Sequence, residues 1–526
     1  MADKLNLVTS TAEQLQRLLG AGALNSRDLV EACLDQIERH NCKGLNLRAV
    51  VQAAPRDLAV EQAKALDVER ANSGPRGPLH GIPVLVKDHF ATHPSLGMGT
   101  TCGTAALRDA RPIRNAVVVD KLIEAGLIVI GKASLSELCL LKATPPNTGG
   151  WCSASSQGQS PYVRGGVTPD AKYLGHSTPC GSSSGSAIGI AAGFAPISIG
   201  TETDGSIVYP ATRAGLYAIK PNIGAVPLEG AMPVNSNYDT HGGMAKSPSD
   251  LAHLLEVMTG RPGLGADLPN TWKGIKVGYL DFKEWRLTPN ETEESEAFDN
   301  DVVNTSLYFI PKKLAYEIKF PAFEQALTTI KANGAEVKGP LKLLTVEEIA
   351  EMPNGADFDS IANDGWRDSF DEWLKDWFEY TPIQDMKDLV KWHKDHADEC
   401  LPADHPSQAY LEFHAFEAKP DPEFPKKHEF VRSRAKQAID QLFQSHDLDV
   451  LIGNGDGRMT AIASAAGYAV GSAPLGYAET FNGRAFGINL ITGVGGERKM
   501  LEVMNVWEKT FPEGRKAPPA LDEKSF

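Results

Sequence analysis

The chain lacks the sequence features that mark membrane, secreted and zinc-binding proteins. No uninterrupted apolar run in its 526 residues approaches the length of a transmembrane helix, and the N-terminal residues lack the apolar stretch of a signal peptide. The seven cysteines are odd in number, scattered, and form no C-x-x-C pair. This pattern is typical of reduced thiols rather than of a disulfide framework or a zinc site. We therefore expect a cytoplasmic protein with no metal and no contact with a membrane.

An excess of basic residues is also absent. Lysine and arginine total 52 against 67 aspartates and glutamates, which gives a formal net charge of −15. Nucleic-acid-binding proteins concentrate basic side chains on one face, so this balance argues against a nucleic-acid partner. The chain contains neither a G-x-x-x-x-G-K phosphate loop nor an H-E-x-x-H metal motif. We therefore expect no nucleotide and no other cofactor.

Helical and strand patterns alternate along the chain. Helices are predicted where apolar residues recur at helical spacing, and strands where short β-branched runs lie between turn residues. The predicted helices cover residues 11–19, 26–39, 116–125 and 323–332, and the predicted strands cover 47–51, 84–86, 127–130, 275–280 and 448–452. Such alternation predicts an α/β fold.

Two segments interrupt this alternation. Residues 143–180 are rich in Gly, Pro, Ser and Thr, and loops of that length are usually functional or disordered. Because Trp151 and Tyr162 give this loop something to pack with, we expect it to be ordered and to lie over a site. Residues 354–430 are dense in charge and hold four of the eight tryptophans. They predict a helical insertion whose aromatic side chains either pack on the core or wall a substrate channel.

The chemistry is concentrated in two Gly/Ser-rich loops and one apolar segment that ends in lysine. Residues 179–186 read PCGSSSGS, residues 200–206 read GTETDGS, and residues 81–88 read GIPVLVKD. The residues between the two loops, 187–199, are small and apolar and predict a buried helix and turn.

The lysine segment has two interpretations. Lysine is normally protonated at neutral pH, but burial without a carboxylate partner lowers its pKa and makes it a base. Asp88 would point to the opposite face from Lys87 if the strand continues. A lysine at a solvated strand end is the plainer interpretation of this segment taken alone.

An alternative assignment makes Ser183 the nucleophile. Gly181, Ser183 and Gly185 fit the G-x-S-x-G elbow of α/β-hydrolases, and histidines that could complete a triad follow later in the chain. That elbow requires a strand immediately before the first glycine. The preceding residues, 173–179 (YLGHSTP), are loop-like instead.

Taken together, these segments resemble the amidase signature family. The agreement lies in residues 81–88 (GIPVLVKD), 180–187 (CGSSSGSA), 200–207 (GTETDGSI), 217–224 (YAIKPNIG) and 239–246 (DTHGGMAK). It is clear over residues 80–260 and weaker over most of the remainder. The resemblance implies one large α/β domain over residues 1–526, with a mixed central β-sheet covered by helices. The long loop before the Gly/Ser-rich block is similar to that of a subgroup of larger amidases.

The resemblance also implies a Ser-Ser-Lys triad that acts without a cofactor. Ser206 would be the nucleophile, Ser182 the bridging serine in a cis peptide after Gly181, and Lys87 the general base. The backbone N–H groups of residues 203–206 (Thr203, Asp204, Gly205 and Ser206) would form the oxyanion hole. Ser183, Asp204 and Trp151 are the candidate contacts to substrate. The activity implied is hydrolysis of a carboxylic amide.

Three positions depart from the family pattern. Asp204 replaces a small glycine, which places a carboxylate near the reacting groups and could discourage acidic substrates or orient a cationic one. Val208 stands where many members carry an arginine that binds substrate carboxylates. Ser184 stands in place of a glycine.

Two other functions share the same residues. An acyl transferase would form the same acyl-enzyme and pass the acyl group to an amine, and an amidotransferase-type subunit would need a stable partner. We expect a small-molecule amide substrate and a monomer or homodimer. Since Lys87 must be neutral to act, activity should rise from mildly acid to alkaline pH.

Overall fold

One large mixed sheet forms the centre of the protein. The structure is a computed structural model that describes residues 5–143, 147–288, 291–292, 321–353 and 355–522. The strands are β1 (Val50–Ala53), β2 (Pro83–Lys87), β3 (Arg111–Pro112), β4 (Ile128–Ala133), β5 (Ile197–Glu202), β6 (Tyr217–Lys220), β7 (Thr240–Ala245), β8 (Lys276–Leu280), β9 (Glu336–Leu341), β10 (Phe378–Tyr380), β11 (Val450–Asn454), β12 (Val470–Tyr477) and β13 (Ala485–Ile491). Eleven of them form the sheet in the order β1-β4-β2-β5-β7-β6-β12-β13-β11-β8-β9, and β3 pairs separately with β10.

Helices flank this sheet. They are α1 (Ala12–Gly20), α2 (Ser26–His40), α3 (Arg56–Ser73), α4 (Val117–Glu124), α5 (Ser184–Ala191), α6 (Val208–Arg213), α7 (Pro248–Thr259), α8 (Pro321–Ala332), α9 (Val346–Ala350), α10 (Phe358–Ala362), α11 (Trp366–Trp377), α12 (Met386–Asp395), α13 (Ala397–Cys400), α14 (Ala409–Phe416), α15 (Phe424–His446), α16 (Met459–Ala466), α17 (Glu497–Thr510) and α18 (Pro519–Asp522). The expected mixed central sheet covered by helices is therefore confirmed. In the described parts of the chain, no helix combines the length and apolar character needed to cross a membrane.

The register of two parallel strands brings the lysine segment to the second Gly/Ser-rich loop. β2 pairs in parallel with β5, with Val84 opposite Ile197 and Val86 opposite Ile199. Both strands are buried along their whole length. Because the carboxyl ends of parallel strands meet at the same edge of a sheet, Lys87 and the loop after β5 lie together.

Most of the predicted elements are present, with small shifts at their ends. The first strand begins at Val50 rather than at residue 47, because Asn46 and Arg48 adopt positive φ angles of 50° and form a turn. Residues 187–199, predicted as helix and turn, hold the end of α5 and also the start of β5 at Ile197. In the part of the long loop that the structure describes, residues 147–180, there is no helix or strand.

The segment 354–430 is mainly helical and has its own apolar core. Phe370 and Trp373 of α11 are buried with Leu389 of α12, and this cluster reaches the rest of the molecule through Cys102 and Met232. The segment is thereby packed against the loops that follow β2 and precede β7.

Candidate active site

Lys87 is the last residue of β2 and is fully buried. Its Nζ lies 2.8 Å from Ser182 Oγ, 2.7 Å from Thr201 Oγ1 and 3.3 Å from the Thr201 carbonyl oxygen. The neighbouring Asp88 pairs instead with Lys132, whose Nζ lies 3.1 Å from Asp88 Oδ1. Within the described residues, no carboxylate forms an ion pair with Lys87. The lysine is therefore desolvated without a compensating anion.

This environment sets the protonation state of Lys87. Burial lowers the pKa of Lys87 below its ordinary value, and the smaller contributions of Cys139, Cys102 and Glu202 oppose that shift. A lysine whose pKa is lowered gives up its proton, and so exposes its lone pair, at a lower pH than an ordinary lysine. The amine can then accept the hydroxyl proton of Ser182.

Ser182 and Ser183 lie side by side but face different groups. The Gly181–Ser182 peptide is cis, and Ser182 Oγ contacts Lys87 Nζ. Ser183 Oγ instead accepts the backbone N–H of Thr201 at 3.3 Å and donates to the Thr201 carbonyl at 3.2 Å. Residues 171–180, which precede the loop, contain no strand, so the elbow that would present Ser183 as a nucleophile is missing. Ser183 holds the loop against the end of β5.

Ser206 lies in the turn between β5 and α6. Gly205, just before it, has φ 74°, and Ser206 is 8% exposed. The Ser183 N–H donates to the Ser206 carbonyl at 2.9 Å, which ties the two Gly/Ser-rich loops together. Among the described residues, the Ser182 and Ser206 hydroxyls do not hydrogen-bond to each other. In an unliganded enzyme such catalytic contacts are often long and tighten only when substrate binds.

Glu202 and Asp239 shape the turn that carries Ser206. Glu202 Oε2 accepts the backbone N–H groups of Ile207 at 2.6 Å and Val208 at 3.0 Å. Asp239 Oδ1 accepts the Thr203 hydroxyl at 2.6 Å. These contacts fix the two ends of the turn and leave N–H donors free between them.

Among the described residues, the backbone N–H groups of Thr203, Asp204 and Ser206 have no hydrogen-bond acceptor. The Gly205 N–H interacts with the Glu202 carboxylate instead. Unpaired backbone N–H groups beside a nucleophile can bind the oxyanion of a tetrahedral intermediate. Three of the four donors expected from the sequence are therefore free to do so.

A contact between Thr201 and His89 was not predicted from the sequence. His89 Nδ1 lies 2.7 Å from Thr201 Oγ1, the same oxygen that contacts Lys87 Nζ. Burial holds the pKa of His89 well below its ordinary value, so the imidazole is neutral. No local pattern in the sequence indicated this contact, because residues 88 and 89 form a turn after β2 instead of continuing the strand.

A cavity of about 740 Å³ opens beside the two Gly/Ser-rich loops. Gly181, Asp204 and Tyr209 belong to its wall. Tyr173 of the long loop and Trp366 of the 354–430 segment line it as well. Both segments that interrupt the α/β alternation thus contribute to the same wall.

Trp151, a candidate substrate contact, is not among the residues that line this cavity. Its ring stacks on His405 at a centroid separation of 4.5 Å, and Lys142 Nζ lies 4.5 Å from the centroid of the indole. The structure therefore places Trp151 where the long loop, to which it belongs, contacts the 354–430 segment. In the part of the chain that is described, no group of three or more His, Cys, Asp or Glu side chains is arranged to hold a metal ion.

Asp204 does line the cavity. Burial raises its pKa to about 8, and the charges of Glu202, Asp359 and Glu291 add to that rise while a hydrogen bond from Thr460 opposes it. Asp204 Oδ1 is closed to solvent and has no hydrogen-bond partner among the described residues. A carboxyl group two residues before Ser206 thus belongs to the cavity wall.

Comparisons with known proteins agree over most of the chain. The amidase family model matches residues 28–453. A probable amidase of Arabidopsis thaliana is 27% identical over 514 residues, which cover 97% of this chain and 91% of that protein. The X-ray structure of native peptide amidase from Stenotrophomonas maltophilia is similar with a TM-score of 0.77 at 28% identity, over 97% of this chain and 98% of that chain. A glutamyl-tRNA(Gln) amidotransferase subunit from Chloroflexus aurantiacus is 35% identical over 267 residues, only 51% of this chain and 50% of that protein.

Proposed function

Because this chain belongs to the amidase family and is a hydrolase of amide C–N bonds, we propose that it works through an acyl-enzyme on Ser206. In the first half-reaction, Ser206 Oγ attacks the amide carbonyl, the C–N bond breaks, and ammonia or an amine leaves. In the second, water attacks the Ser206 ester and releases the carboxylic acid. The observation that carries the proposal is the 2.8 Å contact between a buried, unpaired lysine and Ser182 Oγ.

The proton path follows from the contacts of Lys87. A neutral amine has two N–H groups and one lone pair. Donation of the N–H groups to the hydroxyl and carbonyl oxygens of Thr201 leaves the lone pair for Ser182. Ser182 then passes its proton to Lys87 as it takes the proton of Ser206, and the reverse transfer protonates the leaving nitrogen. The Thr201 hydroxyl keeps its orientation by donating to His89 Nδ1.

The charge that develops on the carbonyl oxygen meets the free N–H groups of the turn. Those of Thr203, Asp204 and Ser206 have no acceptor in the described part of the protein. Loss of one oxyanion-hole donor typically lowers kcat by about 10²–10³-fold, so these groups account for a large share of the rate. Glu202 keeps the turn in place through Ile207 and Val208.

A serine-directed fluorophosphonate tests the nucleophile directly. The probe is applied to three proteins: the wild type, Ser206→Ala and Ser183→Ala. The intact mass of each protein is measured by mass spectrometry, and the labelled residue is identified by peptide mapping. One adduct at Ser206 that is retained in Ser183→Ala and lost in Ser206→Ala is the expected result. An adduct at Ser183 would replace this mechanism with that of an α/β-hydrolase. No adduct on a folded wild-type protein would also overturn it.

Product analysis separates hydrolysis from the two related functions. Hydrolysis predicts one acid per amide consumed, and an added amine or hydroxylamine should not divert most of the product. An acyl transferase would instead form the new amide whenever the acceptor is present. An amidotransferase-type subunit would be inactive alone and would require glutamine and a partner, and the similarity to such a protein covers only about half of each chain.

A further inference from the structure

We propose that the cavity beside Asp204 selects amides whose acyl part carries a cationic group, an ammonium or a guanidinium. This inference rests on the proposed hydrolysis at Ser206 and specifies its substrate class. Six acidic side chains without a basic partner line the cavity: Asp204, Glu291, Asp357, Asp359, Asp364 and Glu417. In the described residues, none of the six forms an ion pair with a lysine or arginine.

The basic residues of the same wall are largely engaged elsewhere. Arg367 Nε lies 3.0 Å from Asp368, and Lys427 Nζ lies 2.6 Å from Asp421. Lys419 also lines the cavity and is outnumbered by the six unpaired acidic groups. Above the pKa of Asp204, which is about 8, all six carry charge and give the cavity a potential that favours a cation and disfavours an anion.

Three polar atoms on this wall lack a partner, which is an independent sign of a bound molecule. Asp204 Oδ1, Trp366 Nε1 and His414 Nε2 are all closed to solvent and have no hydrogen-bond partner among the described residues. Trp366 is fully buried and His414 is 6% exposed. Buried polar groups are nearly always satisfied, so unpartnered groups on three residues of one cavity wall point to a ligand toward which these side chains turn on binding. Asp204 would accept from the cation.

Aromatic rings complete the recognition of a cation. Tyr173, Tyr209 and Tyr410 line the cavity together with the acidic groups. The faces of aromatic rings attract ammonium and guanidinium groups. Glu291 is held in place among them, since its Oε2 accepts both the backbone N–H and the hydroxyl of Thr288 at 2.8 Å.

Argininamide and citrullinamide test the inference, because they have the same length and differ in charge. Their dissociation constants are measured by calorimetry at about pH 9, where Asp204 is ionised, with the full-length Ser206→Ala protein, which lacks the proposed nucleophile. Argininamide should bind about tenfold or more tightly. Adding Asp204→Asn should reduce that ratio toward one. The control change Asp376→Asn, at an exposed carboxylate that does not line the cavity, should leave it unchanged.

The wild type is then assayed for kcat/KM with both amides. Equal affinities, no binding of argininamide, or a ratio that survives Asp204→Asn would overturn the cationic substrate class even if Ser206 is the nucleophile. Tighter binding of argininamide without any turnover by wild type would support the cationic cavity and contradict the proposed hydrolysis. The two proposals can therefore fail separately.

Discussion

The environment of Lys87 determines whether a lysine can serve as a base at this site. Its Nζ contacts neutral oxygens of Ser182 and Thr201, and Asp88 is held by Lys132 on the other side of the segment. If Asp88 paired with Lys87 instead, its charge would keep the amine protonated. The separation of these two neighbours is therefore as important to the proposed chemistry as the lysine itself.

Thr201→Val should slow the reaction without unfolding the protein. The change removes the hydroxyl that lies between Lys87 Nζ and His89 Nδ1, so the lone pair of the lysine is no longer fixed toward Ser182. We expect a fall in kcat of about tenfold or more, with little change in KM, as is reasonable for the loss of about 1–2 kcal/mol of hydrogen bonding. The control is Ser186→Ala, which deletes a buried hydroxyl that donates to the Ile199 carbonyl of the same strand. Equal kcat losses in both variants would remove the special role of Thr201.

The single-turnover acylation rate should rise with pH and then level off. Protonated Lys87 cannot accept a proton, so the rate is lost as pH falls through its pKa. Because burial lowers that pKa, the rise should be complete below the ordinary lysine value of about 10.4. Asp204, with a pKa of about 8, titrates in the same range, so the profile is repeated with Asp204→Asn. A profile that is flat between about pH 5 and 9, or an inflection that disappears in Asp204→Asn, would contradict the assignment to Lys87.

The turn between β5 and α6 can be built only with glycine at position 205, just before Ser206. Gly205 has φ 74°, and a Cβ added there would collide with the ring of Tyr209. Tyr209 cannot easily move away, since its hydroxyl lies 2.7 Å from Thr460 Oγ1. The close approach of Tyr209 leaves no space for a side chain at position 205.

Gly205→Ala should therefore abolish most of the activity, and fluorophosphonate labelling should fall with it. We expect a loss in kcat/KM of about 10²-fold or more, comparable to that of removing an oxyanion-hole donor. Gly224→Ala is the matched control, because Gly224 also has a positive φ, 80°, but has no atom within 4 Å of an added Cβ. That control should lose stability of about 1 kcal/mol and keep its activity. Similar activity in the two variants would contradict this account of the turn.

Contacts far apart in sequence hold the cavity wall in position. Glu137 is buried and lies 3.2 Å from Lys142 Nζ and 3.4 Å from His393 Nε2, and it accepts the Ser153 N–H at 2.8 Å. It thereby connects the long loop with α12 of the 354–430 segment. Lys142 continues the connection by donating to the Cys400 carbonyl.

Glu137→Gln should destabilise the protein and enlarge KM more than it lowers kcat. The change leaves the buried charge of Lys142 without its partner, which typically costs about 3–5 kcal/mol, and it loosens the wall rather than the catalytic loops. Thermal unfolding and steady-state kinetics provide the two measurements. Glu284→Gln, in an exposed pair with Lys342 at 2.7 Å, is the control and should change stability by no more than about 1 kcal/mol. A Glu137→Gln protein as stable as this control would show that the wall does not depend on the buried pair.

The family, the α/β class and the positions of the candidate triad followed from the sequence because each depends on a short stretch of chain. A glycine before Ser206 indicates a tight turn, and an apolar run before Lys87 indicates a buried strand. The register of β2 with β5 then brings these stretches together.

Only the tertiary structure decided which groups surround them. The sequence could not reveal that Asp88 pairs with Lys132, that Trp151 packs on His405, or that Asp204 shares a cavity with Asp359 and Trp366. These residues are separated by many positions along the chain, and no local pattern encodes their distances. The sequence thus determined the candidate reactive groups. The packing of distant segments decided their burial, their charge environment and the shape of the nearby cavity, because burial and electrostatics depend on neighbours in space.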